Sequence, residues 1–335
     1  MKTGIVLINL GTPAAPTTEA VRSYLDEFLM DPYVVDVPFV LRWLLVKGVI
    51  LRTRPARSAA AYQQIWTDAG SPLLLHSLAL RDAVQAQLSE DFDVALGMRY
   101  GEPSITDAMR SLSHCSRWLV LPLFPQYSLA ATESALDQAR RYVASSGFTG
   151  DVDYITDFYD QPFFINAWVD CLRQHGEASY HTLFSYHGLP VKQIDKVAEC
   201  ASSCSRLGPC PPVQAFNRQC YRAQCFATTR AIVDRLGWSE SQYSVAFQSR
   251  LGKLPWIKPY TDELLPQLRE QGVTHLQVAC PAFVADCLET LEEIGLQAQQ
   301  QWRELGGESL RLLPCLNDAT PWVEALVKWL PNHLR

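Results

Sequence analysis

The chain has 335 residues, 48% of them hydrophobic and 19% charged, with a formal net charge of −6. That length holds two ordinary domains or one large one, and the composition is that of a packed soluble protein rather than a disordered one. The acidic balance argues against nucleic acid as the main partner. No run of about 18 uncharged apolar residues is present, which argues against a membrane span.

Residues 4–9, Gly-Ile-Val-Leu-Ile-Asn, read as a first strand that Gly11-Thr12-Pro13 ends. No signal-peptide cleavage pattern stands before it, so a cytoplasmic protein is expected. Thr17-Thr18-Glu19 caps a helix that Pro32 stops. Residues 34–51 are strongly apolar but broken by Asp36, Arg42 and Lys47, with Arg52, Arg54 and Arg57 following. They read as a buried helix, or else as an amphipathic lip on a membrane surface or greasy ligand, its arginines meeting anionic groups.

Gly70-Ser71-Pro72 opens another helix. Strands follow at 94–98, 117–123 and 152–156, with helices at 104–112, 132–144 and 163–174 between and after them. This alternation predicts parallel sheets covered by helices on both faces. The second half repeats the first. A strand running into Gly-x-Pro occurs at 9–13 and again at 187–190. Strand 94–100, with Arg99 and Gly101, matches 243–252, with Arg250 and Gly252, and 118–124 matches 276–283. The expected fold is α/β: two similar Rossmann-like, doubly wound parallel-sheet domains facing a cleft. The expected division is 1–165, then 166–315 carrying a cysteine-rich insert at 195–226, then 316–335 as a C-terminal helix packing back across the domains.

Residues 181–186 form a strand that Gly188-Leu189-Pro190 turns sharply, so His187 stands at its carboxyl end. Ligands of open α/β sheets bind there, and a histidine there can move a proton near neutral pH or ligate a metal. It could equally cap the turn. Asp286, Glu289 and Glu293 fall at i, i+3 and i+7 of a helix that follows the strand at 276–279. An acidic ridge of this kind suits a divalent metal or a proton path, or is a solvated face with its acids at a helix N-terminus. Residues 247–260 carry Arg250, Lys253, Trp256 and Tyr260 on a proline-rich loop. The aromatics fit stacking on a flat ligand and the cations fit its carboxylates, the plainer alternative being a tryptophan that plugs the core.

Three motifs carry a resemblance when taken together: Ser185-Tyr186-His187-Gly188-Leu189-Pro190, Gln248-Ser249-Arg250-Leu251-Gly252 with Pro255-Trp256, and Asp286 with Glu289-Thr290-Leu291-Glu292-Glu293. In this order and spacing they resemble the ferrochelatase family, whose members insert iron(II) into a porphyrin at the end of haem synthesis. Asn9-Leu10-Gly11-Thr12-Pro13, Gly70-Ser71-Pro72, Arg99-Tyr100-Gly101 and Pro125-Gln126-Tyr127-Ser128 extend the likeness over nearly the whole chain. The resemblance implies a lyase that makes protohaem from protoporphyrin IX and Fe2+, releasing two protons. It implies His187 and Glu289 as the catalytic pair, with Glu293 and Asp286 alongside them on the Fe2+ path. It implies porphyrin contacts at Leu10, Arg99, Tyr127, Ser249, Arg250 and Trp256. Coproporphyrin as substrate, another tetrapyrrole chelatase, or a non-catalytic tetrapyrrole- or iron-binding protein are the alternatives.

Ten cysteines are present, five of them between 200 and 225. They stand where the family usually has a short loop leading to Gly-Asp-x-Tyr. Four thiolates fit a [2Fe–2S] cluster or a zinc ion, and free or redox-active thiols are the third option. The expected ligands are Cys200, Cys204, Cys210 and Cys220, with Cys225 as alternate. A monomer or homodimer is expected, with peripheral membrane contact through residues 34–51 and no nucleic acid.

Overall fold

The computed structural model describes residues 2–197, 204, 208–252 and 254–333. The chain forms two compact units. Unit 1 comprises residues 1–124, 128–157 and 317–335, and unit 2 comprises 125–127 and 158–316.

Unit 1 is built on strands β1 (Thr3–Gly11), β2 (Phe92–Tyr100), β3 (Arg117–Pro122) and β4 (Asp151–Tyr154). All are parallel, in the order β2-β1-β3-β4. Ile5 to Ile8 of β1 are fully buried, as an apolar central strand covered on both faces must be. Helices α1 (Thr18–Met30), α2 (Phe39–Leu45), α3 (Leu51–Ile65), α4 (Pro72–Gln87), α5 (Ile105–Ser111) and α6 (Ser134–Ser146) connect them. Ile105, Met109, Trp118, Val120 and Leu136 fill one side of the sheet.

Residues 34–51 do not form a buried helix. The segment is α2 continued through a π-helical turn (Val46–Ile50) into α3. Phe39 is 63% exposed, Val40 66% and Trp43 47%, and Leu41, Leu44, Leu45 and Val49 are also exposed. The buried side is held instead by Arg42, which donates to the carbonyls of Val35 and Val37 at 3.2 and 3.3 Å, and by Val46. Among the described residues no helix is long and apolar enough to cross a membrane.

Unit 2 repeats the plan with β5 (His181–His187), β6 (Tyr243–Gln248), β7 (His275–Ala279) and β8 (Ser309–Leu312), parallel in the order β6-β5-β7-β8. Its helices are α7 (Pro162–His175), α8 (Val191–Asp195), α9 (Tyr221–Leu236), α10 (Thr261–Glu270) and α11 (Gln299–Glu304), the last entered from a ten-residue π-helix, Glu289–Ala298. Leu183, Ala246, Leu265, Leu268, Leu276, Val278, Ile294, Trp302 and Leu310 make its core. The C-terminal helix α12 (Thr320–Trp329) belongs to unit 1 and packs on α4.

This strand order gives unit 2 a switch point between β5 and β7. Connections from β5 leave towards β6, and β7 lies on the other side. Loops after adjacent strands diverge there and leave room for a ligand at the carboxyl ends. His187 ends β5, and the Cys280–Glu289 connection leaves β7 at the same end.

Candidate active site

His187 is half-buried, and its Nδ1 lies 2.5 Å from the carbonyl oxygen of Gly188. A carbonyl only accepts, so Nδ1 carries a proton, and in the neutral form of the ring the lone pair is on Nε2. Phe283 meets the ring edge-on, with centroids 6.2 Å apart. The backbone is pinned from two sides. Tyr221 Oη donates to the His187 carbonyl at 2.9 Å, and Gly188 N–H donates to the Gln248 carbonyl at 2.8 Å.

Gly188 is required by close approach. A Cβ there would lie 2.7 Å from the Gln248 carbonyl oxygen and 3.2 Å from Trp256 Cε3. The Trp256 ring therefore rests against the turn that follows His187. The turn and the loop are also paired through the backbone: Val191 N–H donates to the Pro255 carbonyl at 2.9 Å, and Ile257 N–H to that of Leu189 at 3.0 Å. Trp256 Nε1 donates to the Leu251 carbonyl at 2.9 Å, and the Tyr260 hydroxyl donates to the Trp256 carbonyl at 3.1 Å. Trp256 is half-buried and does not plug the core.

Gln248 joins the two halves of the site. Its Cα pairs with that of His187 in the β5–β6 ladder. Its Nε2 donates to the Glu289 carbonyl at 2.6 Å and lies 3.3 Å from Glu293 Oε2. Its Oε1 accepts from Ser185 Oγ at 2.7 Å, which fixes the amide orientation. Ser249 N–H donates to Glu293 Oε1 at 2.7 Å, and Ser249 Oγ donates to Glu293 Oε2. Ser249 adopts φ 66°, a left-handed conformation that side chains rarely take, and in it the N–H and the hydroxyl converge on one carboxylate. Burial holds the Glu293 carboxyl above the usual carboxylate range. The Ser249 bonds and the nearby His187 pull it back down, and Glu289 adds to the rise.

His187, Glu289 and Glu293 are thus linked through Gln248 and Ser249. Asp286 stands apart from them. It precedes the helix rather than joining its face, and the helix itself begins as a π-helix, so the i, i+3, i+7 spacing does not apply. The Asp286 carboxylate is buried and accepts from Thr290 Oγ1 at 2.9 Å and from Cys315 N–H at 3.2 Å. Arg250 is ion-paired to Asp262 (2.8 Å) and Glu263 (3.0 Å) at the start of α10, with its guanidinium 4.4 Å from the Tyr260 ring centroid. Lys253 lies outside the described residues. Tyr127 is buried in unit 2, and its N–H donates to Gln224 Oε1 at 2.6 Å. Leu10, half-buried at the end of β1, belongs to unit 1. Arg99, also in unit 1, is paired with the buried Asp31 and donates to Ser134 Oγ at 2.6 Å. Reasoning from sequence placed Gly188 and Gln248 in the motifs without giving Gln248 a role, and it did not assign Phe283 or Tyr221 to this site. The His187↔Gln248 strand pairing could have given Gln248 its role.

In the cysteine segment, Cys200 lies outside the described residues. Cys204 is half-buried, and Cys210, Cys220 and Cys225 are buried. Burial raises the thiol pKa of Cys210, while the Arg222 guanidinium, donating to its sulfur at 2.9 Å, lowers it and Cys204 raises it further. The Cys225 thiol is pushed well up by burial, with Tyr221, Cys220 and Cys210 as electrostatic neighbours. Among the described residues no three of these thiols lie within 4.8 Å of one another. A single tetrahedral ion held by four of the five cysteines would need at least three of the described ones, so its ligand set is not assembled. A binuclear cluster divides its thiolates two to each iron and makes no such demand. The soft donors and the cation on Cys210 sulfur fit such a cluster.

The family model described as Ferrochelatase matches residues 2–334. A ferrochelatase of Legionella pneumophila (strain Paris) is 47% identical over 328 residues, covering 97% of this chain and 98% of its own. A ferrochelatase of Coxiella burnetii (strain Dugway 5J108-111) is 47% identical over 338 residues, covering 100% of this chain and 94% of its own. Among solved structures, SirB from Bacillus subtilis with Fe3+ aligns over 99% of this chain and 96% of its own, with TM-score 0.55 and 10% identity, a likeness of fold alone.

Proposed function

The chain belongs to the ferrochelatase family, and from that premise we propose that it inserts iron(II) into protoporphyrin IX, releasing two protons, as the last step of haem synthesis. The observation that carries this reading is the His187–Gln248–Glu293 constellation at the switch point of unit 2, with a lone pair left on His187 Nε2.

The chemistry has two demands. A free-base porphyrin must give up two pyrrole N–H protons, and iron(II) must exchange its waters for the four ring nitrogens. His187 Nε2 is the base for the pyrrole protons, the ring being oriented by its Nδ1–H bond to the Gly188 carbonyl. Imidazole nitrogen and carboxylate oxygen both suit iron(II), so His187, Glu289 and Glu293 form its entry path. Ser249 and Gln248 hold Glu293 in place. Trp256, pressed against Gly188, supplies a flat apolar contact for the macrocycle beside the base. Binding a buckled ring better than a flat one would turn that contact into rate, because a buckled ring exposes its nitrogen lone pairs.

Cys200, Cys204, Cys210 and Cys220 would hold a [2Fe–2S] cluster, with Cys225 as alternate; when bound, the group supplies one-electron redox chemistry and a covalent tie across the segment. The exposed face of α2, followed by Arg52 and Arg57, supports peripheral contact with an anionic membrane.

The test is anaerobic iron(II) with protoporphyrin IX or coproporphyrin, followed by the Soret shift on metallation. Faster turnover of protoporphyrin supports the proposal. Turnover of coproporphyrin alone moves the substrate, and no turnover of either refutes it.

A further inference from the structure

Three donor side chains of different chemistry meet at the amino ends of the strands of unit 1. Asp93 lies near the start of β2, and His114 and Cys115 lie directly before β3. β1 runs between these two strands, so the group reaches across its end. One donor atom from each residue lies within 4.8 Å of the other two. His114 Nε2 is 2.6 Å from Asp93 Oδ2 and 3.6 Å from Cys115 Sγ. An imidazole nitrogen carries one proton or one lone pair in its ring plane, so it cannot bond a carboxylate and a thiol well at once. Both contacts use the same nitrogen, whereas a nucleophile–base–orienter relay needs the two ring nitrogens to face different partners. The surroundings hold the donors in place. Cys115 is buried in the core on one side of the sheet, and its N–H donates to the Leu112 carbonyl at 3.0 Å. Ser116 N–H donates to the Lys2 carbonyl at 2.9 Å, which ties this loop to the residue before β1. Lys2 Nζ donates to Asp93 Oδ1 at 2.9 Å and Oδ2 at 3.1 Å, orienting the carboxylate as an outer partner does in metal sites. The His114 and Asp93 side chains are 54% and 26% exposed, so one side of the group opens to water.

We propose that Asp93 Oδ2, His114 Nε2 and Cys115 Sγ form a site for a zinc-like divalent ion, with water as the fourth ligand, that ties β2 to the loop before β3 across the end of β1. Thiolate, imidazole and carboxylate together suit a borderline ion of this class, and a carboxylate with a thiolate offsets its two charges. Bond lengths of about 2.0 Å to nitrogen and oxygen and about 2.3 Å to sulfur, at tetrahedral angles, put nitrogen and sulfur about 3.6 Å apart and nitrogen and oxygen about 3.3 Å apart. The first separation already holds, and the second needs the Asp93–His114 pair to open by about 0.7 Å. On binding, the thiol proton leaves to water and His114 presents its Nε2 lone pair to the ion. Arg99 lies six residues further along the same strand, roughly 20 Å away, so the site is distinct from the expected porphyrin contacts of unit 1.

The test is equilibrium dialysis of the whole protein against cobalt(II), a spectroscopic substitute for zinc, with no porphyrin present. The candidate active site and the other cysteines can also take cobalt, so the readout is the difference between wild type and variants. Wild type is expected to bind one more cobalt per chain at micromolar concentration than either Cys115→Ser or His114→Gln. The wild-type minus Cys115→Ser spectrum is expected to show thiolate-to-cobalt charge transfer. At about a hundredfold excess over Kd, zinc should raise the melting temperature of wild type about 5 °C more than that of His114→Gln. His114 is exposed, so His114→Gln decides the question if Cys115→Ser does not fold. Equal cobalt counts in wild type and His114→Gln would overturn the inference, as would saturation only at millimolar cobalt, the mark of an adventitious ion.

Discussion

Replacing Ser249 separates the two things this residue does. Its hydroxyl donates to Glu293, and its backbone sits at φ 66°. A hydrogen bond to a charged group contributes about 1.5–3 kcal/mol. Glu293 keeps the Ser249 N–H at 2.7 Å and Gln248 Nε2 at 3.3 Å, so the lower end applies. At about 1.4 kcal/mol per factor of ten, Ser249→Ala is expected to lower kcat about tenfold. Ser249→Gly loses the same hydroxyl but relieves a left-handed backbone whose cost is of order 1 kcal/mol for a residue with a Cβ. It is expected to match Ser249→Ala in the Soret assay and to melt at a higher temperature than Ser249→Ala. Full activity in both variants would refute the assignment of the hydroxyl to Glu293. Equal melting would refute the strain argument.

The remaining expectations follow from neighbouring contacts. Gly188→Ala puts a Cβ 2.7 Å from the Gln248 carbonyl oxygen and 3.2 Å from Trp256 Cε3, so it should shift both and lower kcat as well as raise KM for porphyrin at least several-fold in steady-state kinetics. Asp286→Asn should lower the melting temperature, by weakening the bonds from Thr290 and Cys315, more than it lowers kcat, whereas Glu289→Gln should do the opposite. Burial depresses the pKa of His181, so the folded state binds fewer protons than the unfolded one near pH 6.5. Its contribution to stability is complete above that pH and is lost as pH falls through the depressed value. His181→Gln should flatten that part of the urea-midpoint profile. Trp43→Glu should abolish sedimentation with anionic vesicles and leave turnover of a detergent-solubilised porphyrin unchanged.

Much of the frame was legible because it rests on local rules. The Gly-Leu-Pro corner after an apolar run placed His187 at a strand end, and β5 ends there. The echo between the halves matched two sheets with one strand order. β8 escaped notice because it is only four residues long, although Gly306-Gly307 precedes it and Pro314 follows it. For residues 34–51 the sequence left both a buried helix and an exposed lip open, because an apolar run looks the same whether its neighbours cover it or not, and α2 has the exposed face. Asp286 looked like part of an acidic face because spacing assumes an α-helix, whereas the helix opens with π-type bonds and leaves Asp286 outside. Arg250 looked free for a carboxylate ligand, but α10 folds back to bring Asp262 and Glu263 onto it. Gln248 and Tyr221 act through partners 34 to 45 residues away, and no local pattern encodes those pairs.

The imidazole lone pair at the end of β5 is the centre of this account, and chemical rescue addresses it directly. His187→Ala is expected to bind protoporphyrin normally and to insert no measurable iron until free imidazole is added, which should restore part of the Soret shift. Iron insertion by His187→Ala at a rate near that of the wild type, with imidazole making no difference, would contradict it.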